Sequence, residues 1–398
     1  MNRFPQGGAA KDFVDKSDIE LVYGEDDGGL ATVGKRDDFK AWHHPVKQFV
    51  REEQWRKQLD RLLGEKGLFE DGRPIHYLSL PGEDMFDVRV LGELARDKGR
   101  KIRLLGFNSD AYAPGETGGQ LNSESVLRQE GIITNDSLTL GDRLQDIAVE
   151  RSHVFKKMEG WGRFDVINLD FCNHIGAKVE GIGFFDVLYK LVSHQRSSSS
   201  PWLLMLTTRV HPDHVEVARE SFSGPIDSNI KLSDEFCQNL AGILNIEVCS
   251  GEGLSQCWGA SGESLVKLFS VGLGKFILHL LHNQVQDPAS VELASCFSYR
   301  VEGDHLDMLS VVFRITPGDK VLIPVDNRVV NIPALEIASA LQIVRKSGNI
   351  CDVDSSIKDP GLLNELVEAT EKLLSIANYD VDKYKDWLRT RRVRACAV

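Results

Sequence analysis

The sequence predicts an α/β protein: a mostly parallel sheet with helices on both faces, a late antiparallel β-hairpin, and helices toward the C-terminal end. Three observations predict it. The first is Phe164-Asp165-Val166-Ile167-Asn168-Leu169-Asp170-Phe171-Cys172-Asn173, a short apolar run ending in an acid and a polar turn. That is the pattern of a strand buried on both faces. The second is that three similar runs precede it and one follows, with helical stretches between them, which implies right-handed βαβ units. The third is a pair of longer strand-like runs at residues 291–301 and 308–316, joined by Glu302-Gly303-Asp304, a hairpin signal.

Each element has its own warrant. Residues 1–38 are polar and acidic, with Glu25-Asp26-Asp27-Gly28-Gly29 among them, and read as a flexible N-terminal arm. A helix is expected over about 46–63, where Phe49, Trp55, Leu59, Leu62 and Leu63 make an apolar stripe and Gly64 and Gly67 supply a stop. The alternation then begins, with strands at 75–80, 102–107, within 132–140, at 164–169 and at 202–207. Helices are expected between them at 84–97, 121–129, 144–157 and 184–194, with a polar loop at 108–119 and a serine loop at 197–200. Residues 234–244, 265–281, 334–347 and 361–389 read as further helices, and no internal repeat is visible. The domain division that follows is an arm at 1–38, a Rossmann-like domain at 39–320 and a helical extension at 321–398.

Composition narrows the class. Hydrophobic residues make up 42% of 398, enough for a large core. No stretch approaches the roughly 18 apolar residues of a membrane span, and Met1-Asn2-Arg3-Phe4-Pro5 lacks a signal-peptide core, so a cytoplasmic location with no membrane partner is expected. The net charge of −12 argues against coating nucleic acid through an overall field. The seven cysteines include no Cys-x-x-Cys, which argues against a zinc cluster or a disulfide framework. Cys172, two residues past Asp170, is readable as a nucleophile or as wall packing.

Open α/β sheets bind ligands just beyond the carboxyl ends of their strands, and the residues there suit a nucleotide-type ligand. Gly82, in Ser79-Leu80-Pro81-Gly82-Glu83-Asp84, allows close backbone approach after the first strand. Asn108 and Asp110 follow the second strand as hydrogen-bonding groups for ribose hydroxyls. Asp142, in Leu138-Thr139-Leu140-Gly141-Asp142-Arg143-Leu144, offers an acceptor beside leucines for a base edge, and also suits the start of the next helix. Asp170 closes the set.

This order of strand ends, followed by a late hairpin, resembles the class I S-adenosylmethionine-dependent methyltransferases, a Rossmann-like superfamily, over roughly residues 75–316. The resemblance implies that Leu80 and Gly82 lie at the methionine side of S-adenosylmethionine and that Asn108 or Asp110 lies at the ribose. It puts Gly141 and Asp142 at the adenine and Asp170 near the methyl group. The sequence departs from the family in having one glycine in the first turn, behind a proline, and Tyr77-Leu78-Ser79 where an acid is usual. It has neither Asn-Pro-Pro-Tyr nor Asp-Pro-Pro-Tyr after the fourth strand.

Two further segments carry reactive side chains. Trp42-His43-His44-Pro45-Val46-Lys47-Gln48-Phe49-Val50-Arg51 reads either as a lid over the cleft or a surface that stacks on a base, or as a helix entry packed by Trp42 and Phe49. Thr207-Thr208-Arg209-Val210-His211-Pro212-Asp213-His214 follows the fifth strand and offers Arg209 to grip a phosphate or carboxylate and His211 or His214 as a general base. The expected function is methyl transfer from S-adenosylmethionine, with Asp170, Asn173, His174 or His211 positioning an unidentified acceptor, nucleic acid or protein among the options. The alternative is a catalytically inactive methyltransferase-like scaffold, meeting protein partners through its N-terminal arm or C-terminal helices. The absence of Gly-x-Gly-x-x-Gly weighs against a third reading, a nicotinamide-dependent oxidoreductase.

Overall fold

A computed structural model describes residues 34–109, 119–171, 173–179, 181–247, 251–282, 288–301, 304–318 and 332–395. Asp110, Cys172, the arm up to residue 33 and residues 302–303 of the hairpin turn lie outside the described residues.

The strands in chain order are β1 (Ile75–Ser79), β2 (Ile102–Phe107), β3 (Leu138–Leu140), β4 (Val166–Asp170), β5 (Lys178–Val179), β6 (Ile182–Gly183), β7 (Trp202–Arg209), β8 (Ser290–Tyr299), β9 (Met308–Thr316) and β10 (Cys351–Asp352). Eight of them form one sheet in the order β10-β8-β9-β7-β4-β1-β2-β3, while β5 and β6 pair by themselves. The pairs from β3 across to β7 are parallel, β9 runs antiparallel between β7 and β8, and β10 joins β8 in parallel. This is the α/β, mostly parallel, Rossmann-like sheet with a late antiparallel pair that the sequence predicts.

Strand periodicity divides the core between two faces. Leu78, Leu105, Ile167, Leu204 and Leu206 point to one side, under the helices His153–Trp161, Phe184–Gln195, Glu216–Leu232 and Glu263–His282. Tyr77, Leu104, Val166, Leu203 and Met205 point to the other, under the N-terminal helical segment and the helix Phe86–Asp97. Full burial of one such side chain stabilises by about 1.5–3 kcal/mol, so the strands are held mainly by what covers them. The N-terminal segment starts at Pro45, behind a His44 whose Nδ1 accepts from Val46 N. It runs as a π-helix over Val50–Arg56 and ends at Leu63. Its buried Gln54 donates to Ser295 Oγ and Ser310 O and accepts from Ser310 Oγ, which bolts the segment to β8 and β9.

Several expectations change. Residues 144–157 form not one helix but a 3-10 turn (Leu144–Ala148) and a separate helix, His153–Trp161. Arg151 is left-handed at φ 61° and Ser152 caps Phe155 N, so local capping splits the run. The helix Glu216–Leu232 escapes sequence reading because Pro225 sits inside it. The expectation that no stretch approaches a membrane span also needs correction: Glu263–His282 is long and apolar enough by composition, but 78% of its most apolar window is buried inside the fold. Gly272 lets Phe222 lie against this helix, since a Cβ there would stand 2.4 Å from the ring. Lys275 on the same helix is buried and paired with Asn229 and Glu336.

Residues after 320 build on the sheet and on the N-terminal segment. Ile332–Gly348 packs on the outer helices and β8, and β10 adds an edge strand. Tyr379, Tyr384 and Leu388 form a third apolar cluster with Phe86, Val90 and Phe39.

Candidate ligand cleft

The carboxyl ends of β1, β2 and β4 open into a cleft of about 1240 Å³, walled on its far side by the N-terminal segment and by residues from β8, β9 and the stretch after β10. Leu80, Gly82, Asn108, Asp142 and Asp170 all line it. Residues separated by up to 90 positions in sequence are thus brought to one hollow.

The turn after β1 is positioned by its neighbours. Gly82 lines the cleft, and a Cβ there would meet nothing within 4 Å, so the turn leaves open space around it. Pro81 lies over Gly106 of β2, where a Cβ would stand 2.9 Å from Pro81 Cγ and 2.8 Å from Thr139 Oγ1. Met85, left-handed at φ 53°, precedes the helix Phe86–Asp97, and Phe86 and Asp87 bring its amino end to the cleft wall, where its dipole favours negative charge. Asp84, directly after the turn, accepts from Arg36 Nη1 at 2.7 Å and Tyr379 Oη at 3.1 Å, and His43 Nε2 stands 3.8 Å away. Burial works to raise the Asp84 carboxyl, but His43, the Arg36 guanidinium and Tyr379 together hold it below the usual value. Beneath the turn, Asp87 Oδ2 accepts from Tyr77 Oη (2.8 Å) and Ser79 Oγ (2.6 Å), and Asn168 Nδ2 donates to Tyr77 Oη (2.9 Å). Burial first, and Asp87 second, push the Tyr77 hydroxyl well up, so it remains a neutral donor.

At the end of β2, Asn108 N donates to Leu140 O and its side-chain amide reaches Gln120 Oε1 at 3.1 Å. Past β3, Asp142 lies 3.2 Å from the exposed His153 ring and is itself partly exposed. At the end of β4, Asp170 accepts from Lys47 Nζ at 2.5 Å. Lys47 is buried, 4.9 Å from the Trp55 ring centroid. Burial works to lower its ammonium, yet Asp170 wins and the ammonium is held above its usual value.

Gly141, Asn173, His174 and His211 do not line this cleft. Beyond Phe171 the chain bonds instead to the end of β7: Ile175 N donates to Thr208 Oγ1 and Arg209 N to Asn173 O. His174 stacks on His214 at 4.3 Å, and His211 lies 3.5 Å from Asp213. Among the described residues no cluster of His, Cys, Asp and Glu can hold a metal ion.

Sequence reading does not single out Lys47 and Arg51 individually, although their segment stands out as lid or helix entry. Of the two residues expected to pack the helix entry, Phe49 does so, against Phe297, whereas Trp42 is 42% exposed and lines the cleft. The signal is the spacing of His44, Lys47 and Arg51, which puts three basic groups on one helical stripe. Tyr299, Arg300, Asp354 and Lys358 also line the cleft, and nothing local in their sequence announces it.

No curated protein matches the sequence. A family model described as PP_RS20740-like matches residues 36–389, which run from the Arg36 that holds Asp84 to the last C-terminal helix, so the chain belongs to the PP_RS20740-like family.

Proposed function

We propose that the cleft binds S-adenosylmethionine and that the protein transfers its methyl group to an acceptor held beside Asp170. The observation that carries this reading is the convergence of Gly82, Asn108, Asp142 and Asp170 on a single cleft. The sheet order supports it. Setting aside the short β5–β6 pair and the edge strand β10, the strands run third, second, first, fourth, fifth, seventh, sixth, with only the seventh antiparallel to the parallel set beside it. Of this, a parallel set followed by a late antiparallel pair is what the resemblance leads one to expect. The cleft volume, about 1240 Å³, exceeds the roughly 300–1,000 Å³ usual for one small ligand and leaves room for an acceptor.

The residues fit such a ligand. Asp142 offers a carboxylate acceptor to an exocyclic amine next to Leu144, and Asn108 offers an amide to ribose hydroxyls. The open side of Gly82 admits the ligand chain over the amino end of the helix Phe86–Asp97. The bound cofactor would supply an activated methyl on a sulfonium. The chain's own work is placement, because a methyl displacement gains most from holding the two reactants in line. Lys47 keeps Asp170 fixed and ionically paired at the point where β4 ends, and Trp42 screens the opening. The same Lys47–Asp170 pair favours a second reading, a scaffold that keeps the cleft without turnover, because the acid nearest the reacting centre is already engaged.

Calorimetry with S-adenosylhomocysteine tests the first claim. Binding is expected, weakened at least tenfold, about 1.4 kcal/mol, by Asp142→Ala with the melting temperature unchanged. Absence of heat with the wild-type chain would end the cofactor reading. Binding without methyl incorporation into cell extract would favour the scaffold.

A further inference from the structure

The part of the cleft bordered by the N-terminal segment, β8 and the stretch after β10 contains two cations that form no direct ion pair among the described residues, although Asp170 and Asp87 act on Arg51 at longer range. Arg51 is only 4% exposed, yet it lines the cleft and forms no ion pair among those residues. Its Nη1 and Nη2 donate to neutral oxygens, Gln48 Oε1 at 3.3 Å and Trp42 O at 3.0 Å, and its Nε has no hydrogen-bond partner there. The nearby carboxylates are committed elsewhere: Asp170 to Lys47, and Asp87 to Tyr77 and Ser79. Lys358, exposed at the opening, forms no ion pair among the described residues either. Arg300, in the same wall, is occupied by Asp352 and Asp354, and Asp304 borders the opening as well.

A buried guanidinium whose nearest acids are hydrogen-bonded to other groups is costly, and a chain of net charge −12 has acids enough to supply a direct partner. The planar Nε–Nη edge of arginine matches an oxyanion in shape and charge. We propose that this half of the cleft seats an oxyanion, a carboxylate or phosphate borne by the methyl acceptor, gripped by Arg51 from the buried side and Lys358 from the opening. The acceptor assignment rests on the methyl-transfer reading; the oxyanion site itself does not. A carboxylate could also come from the cofactor's own amino-acid end, and competition separates the two sources.

Inorganic phosphate is the probe, titrated into the full chain by calorimetry against chloride at matched ionic strength, with and without saturating S-adenosylhomocysteine. Saturable one-to-one binding is expected, equal in both conditions. It should weaken at least tenfold in Arg51→Gln, recover in part in Arg51→Lys, weaken severalfold in Lys358→Ala and stay unchanged in Asp142→Ala. No saturable binding, or wild-type affinity in both Arg51→Gln and Lys358→Ala, overturns the site. Lys358 is exposed, so its variant tests the site even where Arg51→Gln fails to fold. Competition between phosphate and S-adenosylhomocysteine overturns the acceptor assignment and gives the site to the cofactor's carboxylate. Arg51-dependent phosphate binding by a chain that takes no S-adenosylhomocysteine keeps the oxyanion site and removes the cofactor reading.

Discussion

Asp84 shows how one side chain ties chain segments to the cleft. It follows the first turn directly, and its partners come from both ends of the described chain: Arg36 and His43 before it, Tyr379 far after it. Its ionised form is favoured in the folded state, so the carboxyl lies below its ordinary value of 3.8. The sign of the pH effect follows: the stabilisation is complete above that ordinary value and is lost as pH falls through the depressed folded one. Urea unfolding of the wild type should therefore show stability falling on acidification below about pH 4, with a shallower fall in Asp84→Asn. At pH 7 that variant should be less stable by about 3 kcal/mol, the usual cost of breaking a buried pair. An unchanged unfolding midpoint would mean that Asp84 holds nothing. Asp142, partly exposed and, among the described residues, bonded to an exposed histidine, is the opposite case, where a ligand effect is expected without a stability effect. Asp142 was legible in the sequence because it stands at a strand end. Arg51 was not, because its meaning lies in neighbouring acids that are bonded to other groups.

Among the elements, the first turn and the long central helix depend on glycine for different reasons. Gly82 faces open space and does not have a positive φ, whereas Gly106 lies under Pro81 and Gly272 under Phe222. Gly82→Ala should leave stability within about 0.5 kcal/mol of wild type while weakening S-adenosylhomocysteine binding, because the added methyl enters the cleft. Gly272→Ala should cost about 1–3 kcal/mol by overpacking and leave ligand affinity unaltered. Thermal melts and calorimetry on the two variants together would separate these roles; a destabilised Gly82→Ala would show that the turn is not open. Most elements were legible locally. The five parallel strands read as apolar runs, and the antiparallel pair read as two longer ones. The exceptions follow from capping and tertiary cover: Ser152 splits one expected helix, and packing keeps Pro225 within a helix that was not expected.

At the scale of the whole molecule, the N-terminal wall of the cleft is backed by the C-terminal helices. The C-terminal helices cover Phe39, Phe86 and Val90, and Tyr384 Oη donates to His43 O just before the segment that carries Lys47 and Arg51. Truncation after Ile376 removes Tyr379, Tyr384 and Leu388 from this cluster. At about 1.5–3 kcal/mol for each buried side chain, it should destabilise the fold by more than about 4 kcal/mol. It should also loosen the N-terminal segment, read as faster amide exchange over residues 40–56. Exchange rates there equal to wild type would show that the C-terminal helices are independent of the cleft.

The amino-acid sequence by itself determined the strands, their alternation with helices and the polar residues that end them, because these follow from side-chain periodicity and turn chemistry among near neighbours. Only the tertiary structure decided that Asp170 meets Lys47 across 123 residues and that Asp84 meets Tyr379 across 295. It also decided that Asn173 and His174 leave with the end of β7 instead of entering the cleft. Those outcomes depend on which helices cover each face of the sheet, a long-range balance of burial that no local pattern encodes.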